Sequence, residues 1–276
     1  MKKLLLALAL IGLLLAIGIV MAPARLASNA LESAFPRQLT ATNLQQNAQT
    51  SAPGGLEIRL LGPSGTLWNG SGALLVNRQP IGNLSWQVQP GRLLSLEAAV
   101  DWQLDGDGFA AEGTAAARNQ SYDLRNLRGT VSQALLRKFL GRYDIAPSGA
   151  LTVDSLDITD LQLNERMNWP AQVTAAGTLK WTGGPVRYRL AGQTYDIDLP
   201  PMLGTISSSE SGPHPGWPEL LVTDANEGDL LITGRLTPTG SAAIGITRGF
   251  TRLAGQPWPG SEPDHAVVLE VEEQLN

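Results

Sequence analysis

Apolar residues at every second position constrain this chain more than any other feature. Leu96, Ala98, Val100, Trp102 and Leu104 alternate with smaller or polar neighbours, and so do Leu84, Trp86 and Val88 and, later, Val186, Tyr188 and Leu190. Successive side chains of a strand point to opposite faces, so strict alternation means one buried face and one solvated face, the habit of antiparallel sheet. Many short runs also begin at a glycine followed two residues later by an aliphatic residue: Gly65/Leu67, Gly149/Leu151, Gly177/Leu179, Gly228/Leu230 and Gly234/Leu236. Two of them share a longer pattern, Gly65-Thr66-Leu67-Trp68-Asn69-Gly70 and Gly177-Thr178-Leu179-Lys180-Trp181-Thr182-Gly183, each read as a glycine, an extended apolar step carrying a Trp, and a glycine turn. With 30 Gly and 18 Pro, the chain reads as an all-β, turn-rich fold. It is expected to form a large curled antiparallel meander of about a dozen strands, an open barrel or two packed half-sheets, since a sheet that long must curl, split or close.

The N-terminus has a different period. Lys2 and Lys3 precede an uncharged apolar run from Leu4 to Met21, and a spanning helix needs about 17–25 such residues. Residues 1–24 therefore read as a cytoplasmic start and a transmembrane signal-anchor, with the two lysines holding the N-terminus in the cytoplasm. Ala22-Pro23-Ala24 also fits a small-x-small cleavage site. Residues 25–55 read as a helical extension stopped by Pro36 and a polar tether rich in Gln, Asn, Thr and Ser, which cannot bury much apolar surface. Residues 56–276 make the β domain, in halves of about 56–145 and 146–276.

Within that domain, Asp105-Gly106-Asp107-Gly108 is hairpin-turn chemistry, because Asp-Gly pairs tolerate positive φ. Leu135, Leu136, Phe139 and Leu140 fall on one helical face, with Ser132 placed to cap the start and Gly141 the end. This predicts one short amphipathic helix that plugs an open end of the sheet or crosses between halves. Ser207–Gly216 reads as a loop, and Thr247–Ala254 as a helical turn closed by Gly255.

The residues that carry chemistry are sparse. The net charge of −5, with no basic tract, argues against nucleic acid. No cysteine is present, which removes disulfides, thiolate metal sites and a Cys nucleophile. The two histidines, His214 and His265, share no helical face with a carboxylate, so no catalytic, cofactor or metal site is expected. Asp101, Asp105 and Asp107 lack the six-oxygen spacing of a calcium loop, and Asp154, Asp157 and Asp160 alternate with Leu156 and Ile158 on the solvent side or turn of a strand. A hydrolase would need Ser64 or Ser71 to meet His214 or His265. Trp68, Trp86, Trp102 and Trp181 sit inside alternating runs and are expected to pack. Trp217 and Trp258, each followed by Pro, fall in loops and are better placed to meet a partner.

These residues resemble the type II secretion system protein N family. The resemblance rests on the basic start with one apolar segment, Gly-Thr-Leu-Trp-Asn-Gly-Ser-Gly-Ala at 65–73, and Leu84-Ser85-Trp86 with Pro90 and Leu93-Leu94 after it. It continues in Thr247-Arg248-Gly249-Phe250, Leu253 and Gly255-Gln256-Pro257-Trp258 leading into Val267–Glu273. It marks Trp68, Asn69, Gly70, Trp86, Phe250 and Trp258 as signature positions, beside Trp181 and Trp217 as positions for contact. It implies an accessory, non-enzymatic, inner-membrane and periplasm-facing part of the machine that exports folded proteins across the Gram-negative outer membrane. The secretin and the inner-membrane platform proteins are its implied partners. An alternative from another class is a membrane-anchored lipid-binding or lipid-transfer β domain. The two differ in whether the inward faces (Leu96, Val100, Trp102, Leu151, Val153, Val186, Leu190) close on one another or leave a continuous groove.

Overall fold

A computed structural model describes residues 58–274 apart from 77, 120, 165–168 and 209–213. The signal-anchor and tether expected before residue 56 lie outside the described residues. Among the described residues no helix is long and apolar enough to cross a membrane. Strands dominate, and the sheets are antiparallel with a few short helices, as alternation and turn chemistry require. The described chain divides into two compact units. One ends at Gly91 and takes in Val100–Asp107; the other comprises Arg92–Ala99 and the residues from Gly108 onward.

The first unit holds β1 (Ile58–Gly65), β2 (Asn69–Val76), β3 (Gln79–Val88) and most of β4 (Ala98–Gly106), hydrogen-bonded in that order. Its core is Leu60 and Trp86, with Leu84, Val88 and Val100 packed against them. Register explains the cluster: Leu84 faces Leu104, Trp86 faces Trp102 and Val88 faces Val100, so the alternating runs of β3 and β4 share one face. Leu96, expected to begin that run, does not belong to it. It has φ of +58°, lies before β4 and is 82% exposed.

After β3 the chain makes a short helical turn, α1 (Pro90–Leu93). The second unit then builds β5 (Phe109–Arg118), β6 (Ser121–Val131), α2 (Gln133–Leu140), β7 (Ile145–Pro147), β8 (Leu151–Asn164) and β9 (Trp169–Trp181). It continues through β10 (Gly184–Leu190), β11 (Gln193–Leu199), β12 (Met202–Ser208), β13 (Pro218–Asp224) and β14 (Leu230–Leu236). It ends with β15 (Ser241–Thr247), α3 (Arg248–Leu253) and β16 (Val267–Gln274). Its large sheet has the order β5-β6-β8-β9-β12-β13-β14-β15-β16, and a small sheet has the order β11-β10-β7. Val186 and Leu199 of the small sheet meet Met202 and Leu231 of the large one, with Trp181, Val222, Ile232, Phe250 and Leu253 around them. This is the second core.

The helix over 133–140 forms as its periodicity predicts, and Ser132 caps it through Leu135 N–H. Gly141 is its C-cap, as expected, with its N–H donating to the Arg137 carbonyl. Gly141 stays right-handed and continues into a 3-10 turn to Tyr143, which Asp144 terminates at φ +57°. The other helical turn is capped by Thr247 and followed by Gly255 at φ +73°, as expected.

β6 and β8 are joined through offset bulges. Asn126 and Asp160 both adopt left-handed φ, at +53° and +54°. The Asn126 N–H donates to Asp157 Oδ1 (2.6 Å) across the ladder, and the Asp160 N–H donates back to Asp123 Oδ1 (3.0 Å). Asp157 and Asp160, read from the sequence as solvent-side residues, thus close a reciprocal clasp, and Asp154 pairs with Lys180 Nζ (2.7 Å).

Candidate functional site

The signature motif at 65–73 is a corner. Gly65 ends β1 at φ +88°, and Thr66–Trp68 make the bend into β2. The Thr66 N–H donates to the Asn69 carbonyl (2.8 Å), and Thr66 Oγ1 accepts the Asn69 N–H (3.1 Å). The Trp68 carbonyl takes the Val88 N–H (2.7 Å). Trp86 reaches back from β3: its indole N–H donates to the Leu67 carbonyl (3.1 Å) while its ring lies on Gly70. A Cβ on Gly70 would stand 2.5 Å from Trp86 Cζ2 and 2.6 Å from the Ser64 carbonyl oxygen, so only glycine fits. Ser64 Oγ lies 3.1 Å from Ser71 Oγ across the same hairpin.

The second copy of the motif has another conformation. Gly177 to Trp181 lies within β9, so the extended reading holds there but not at Trp68, which turns. What the two places share is an indole anchored to a loop carbonyl, since the Trp181 N–H donates to the Ser148 carbonyl (3.0 Å). Phe250 packs into the second core beside Trp181. Trp217, expected to be exposed, is 8% exposed: its backbone N–H closes a turn on the His214 carbonyl (3.1 Å), and the ring is covered at the start of β13. Trp258 is 39% exposed and does offer surface.

Two surfaces stand out beyond the signature residues, both in the second unit. One is the loop after α1. Leu93, Leu94 and Leu96 are 43%, 92% and 82% exposed, and Tyr122 is exposed beside them. Leu93, Leu96 and Tyr122 line a shallow hollow of about 360 Å³ with Ala98, Ala117 and Arg118. The loop is held from below. Glu97 is buried and accepts from Arg92 Nη1 (3.2 Å) and Arg125 Nη1 (3.0 Å), and Arg125 also pairs with Asp123. The hydrogen bond to Asp123 holds the Arg125 guanidinium above its ordinary value, against the lowering that its burial causes. The Ser95, Leu96 and Glu97 N–H groups donate to the Arg92, Leu93 and Arg92 carbonyls, which fixes the leucines outward.

The other surface emerges only from register. Following facing residues from β8 to β16 gives the row Leu156, Gly177, Ile206, Leu220, Gly234, Ile244, Val271. The neighbouring row on the same face is Val153, Leu179, Gly204, Val222, Ile232, Ile246, Leu269. Neither row contains a polar side chain. The row between them points the other way and reads Ser155, Thr178, Thr205, Leu221, Thr233, Gly245, Glu270. Where the small sheet lies, the apolar face is covered, with Val222 and Ile232 against the second core. At the β15–β16 end it is not: Ile244 and Val271 of the other row are 52% and 54% exposed, and Leu269, at the end of the covered row, is 45% exposed. On β15 the usual arrangement is inverted. Ser241, Ala243 and Thr247 on the polar face are buried, while Ile244 on the apolar face stands open.

Corner indoles, an anchored leucine loop and an apolar sheet face set this antiparallel β protein apart. The match to known families names it further. Residues 57–256 match the family described as type II secretion system (T2SS), protein N, and the chain belongs to that family. It is therefore a component of the type II secretion system. No curated protein and no solved structure matches it.

Proposed function

We propose that the chain is an accessory inner-membrane component of the secretion machine, with its N-terminus cytoplasmic and its β domain periplasmic. It acts without catalysis, by contact with the secretin and the inner-membrane platform proteins in the export of folded proteins. The observation that carries this reading is the leucine loop. A chain that buries Glu97 between two arginines and places Leu96 at positive φ stabilises a loop whose aliphatic side chains stand exposed. Contiguous exposed apolar groups on a rigid support are the usual anchors of a protein interface.

The test is site-specific photocrosslinking in membranes of secreting cells, with the reactive residue at Leu94, Leu96 or Trp258, followed by mass identification of the adducts. Adducts to the secretin or to platform proteins from Leu94 and Leu96 are the expected result. Adducts to phospholipid alone, or unchanged secretion by a Leu94→Ser/Leu96→Ser double variant, would refute it.

A further inference from the structure

We infer that β16, the last strand of the large sheet, is a docking edge that takes an extended, amphipathic and basic segment of a partner protein as one more strand. Among the described residues β16 pairs with β15 alone, so one edge of its backbone is open. Register shows which groups face out. The Thr237 N–H donates to the Ser241 carbonyl (2.9 Å), which turns the Ser241 backbone toward β14. In an antiparallel ladder this direction alternates from one residue to the next. The backbones of Ala242, Ile244 and Ile246 are therefore turned toward Glu273, Val271 and Leu269 of β16. Glu270 and Glu272, between these, direct their N–H and C=O groups away from the sheet. Such a row of donors and acceptors is complementary to an extended polypeptide, and a hydrocarbon chain or a helix leaves it unsatisfied.

The side chains agree. Charged groups commonly blunt a sheet edge, but here two of them are drawn back from it. Glu270 reaches across β15 to Arg235 on β14 (2.7 Å), and Glu272 accepts from the Ser241 hydroxyl on β15. Leu269 and Val271 stand about half exposed on the opposite face, where a neighbouring strand would lie beside them. Charge and alternation then define the occupant. β16 carries Glu270, Glu272 and Glu273 and no Lys or Arg. The segment it fits places apolar residues beside Leu269 and Val271 and lysine or arginine beside the glutamates, since opposite charges across a ladder are stabilising and like charges are not. A second copy of β16 is disfavoured for the same reason, because two-fold pairing brings the glutamates of both copies onto one seam. This contact is separate from the leucine loop.

The test uses the full chain in membranes of secreting cells, with a photoreactive benzophenone amino acid at Val271 or Glu273 and peptide mapping of the adducts. Adducts from both positions to one segment of one partner, in which apolar and basic residues alternate, are expected. Glu270→Pro removes an outward N–H and no bond to β15, a change that edge strands tolerate. It should lower the adduct yield at Glu273 about five- to tenfold. Glu270→Thr loses the same carboxylate but keeps the N–H, and should stay within about twofold of wild type. Leu269→Lys/Val271→Lys, at exposed positions, sets like charge against the incoming strand and should abolish the adduct; it decides the matter should the proline variant unfold. Adducts to phospholipid alone, to β16 of a second copy or to scattered segments would overturn the inference. So would equal yields from Glu270→Pro and Glu270→Thr, or an adduct that survives the two lysines. The leucine loop is tested at other positions, so the two readings stand or fall separately.

Discussion

Gly70→Ala is the sharpest perturbation the structure offers. The added methyl would meet Trp86 Cζ2 at 2.5 Å, the Ser64 carbonyl at 2.6 Å and the Thr66 carbonyl at 3.0 Å. Ordinary contact is 3.4–4 Å, so something must move by about 1 Å. The carbonyls belong to the hairpin ladder and resist, so the indole lifts, and its 3.1 Å bond to the Leu67 carbonyl breaks. Overpacking of this kind costs about 1–3 kcal/mol, and the lost hydrogen bond about 1 kcal/mol. The total is about 2–4 kcal/mol of first-unit stability. Denaturant unfolding followed by hydrogen exchange in β1–β3 measures it. Gly91→Ala is the internal control: no atom lies within 4 Å of its new methyl, and it sits in α1, where alanine is stabilising by up to about 1 kcal/mol. If Gly70→Ala shifts stability no more than Gly91→Ala does, the indole does not rest on that glycine and the corner has been misread.

Glu97→Ala removes the buried acceptor of Arg92 and Arg125 and should destabilise the second unit by about 1–3 kcal/mol, with faster proteolysis of the leucine loop as the readout. Arg125 is raised above its ordinary value, so its contribution is complete below its unfolded-state pKa and is lost only in strong alkali. The stability difference between wild type and Arg125→Met should therefore show no Arg125 titration step between about pH 6 and 9. Thr247 is fully buried, donates to the Leu230 and Leu231 carbonyls (3.0 Å each) and caps α3 through the Phe250 N–H (3.2 Å). Thr247→Val keeps its volume and should still cost about 2–3 kcal/mol in equilibrium unfolding, while Thr247→Ser should recover most of it.

Much of the fold was legible because alternation is a local signal. Leu84, Trp86 and Val88 read as one strand face and form one. Ser132 and Thr247 read as helix caps and are caps. What escaped was set by partners distant in sequence. Leu96 continues the alternation of β4 on paper, but the turn hydrogen-bonded to Arg92 and Leu93 takes it out of the strand. Trp217 carries the loop signal of a following proline, yet Pro218 opens a strand and the ring is covered. Each strand of the apolar face contributes only one or two residues to a row, and Gly177, Gly204 and Gly234 look like punctuation until the register lines them up. The leucine loop was visible as Leu93-Leu94, but its rigidity comes from Arg125, contributed by a strand later in the chain.

The clasp between β6 and β8 also limits how such a chain can change over evolutionary time. Asn126 answers to a carboxylate on one strand, and Asp160 to a carboxylate on the other. A single-residue deletion in β6 outside the bulge between Leu124 and Leu127 would throw the residues beyond it onto the opposite face relative to Ile158 and Leu156. Only a matching deletion in β8 could repair it. Two segments separated by a helix and a third strand are thereby made to lengthen or shorten as one, and that dependence should leave a trace of paired gaps wherever descendants of this sheet are compared.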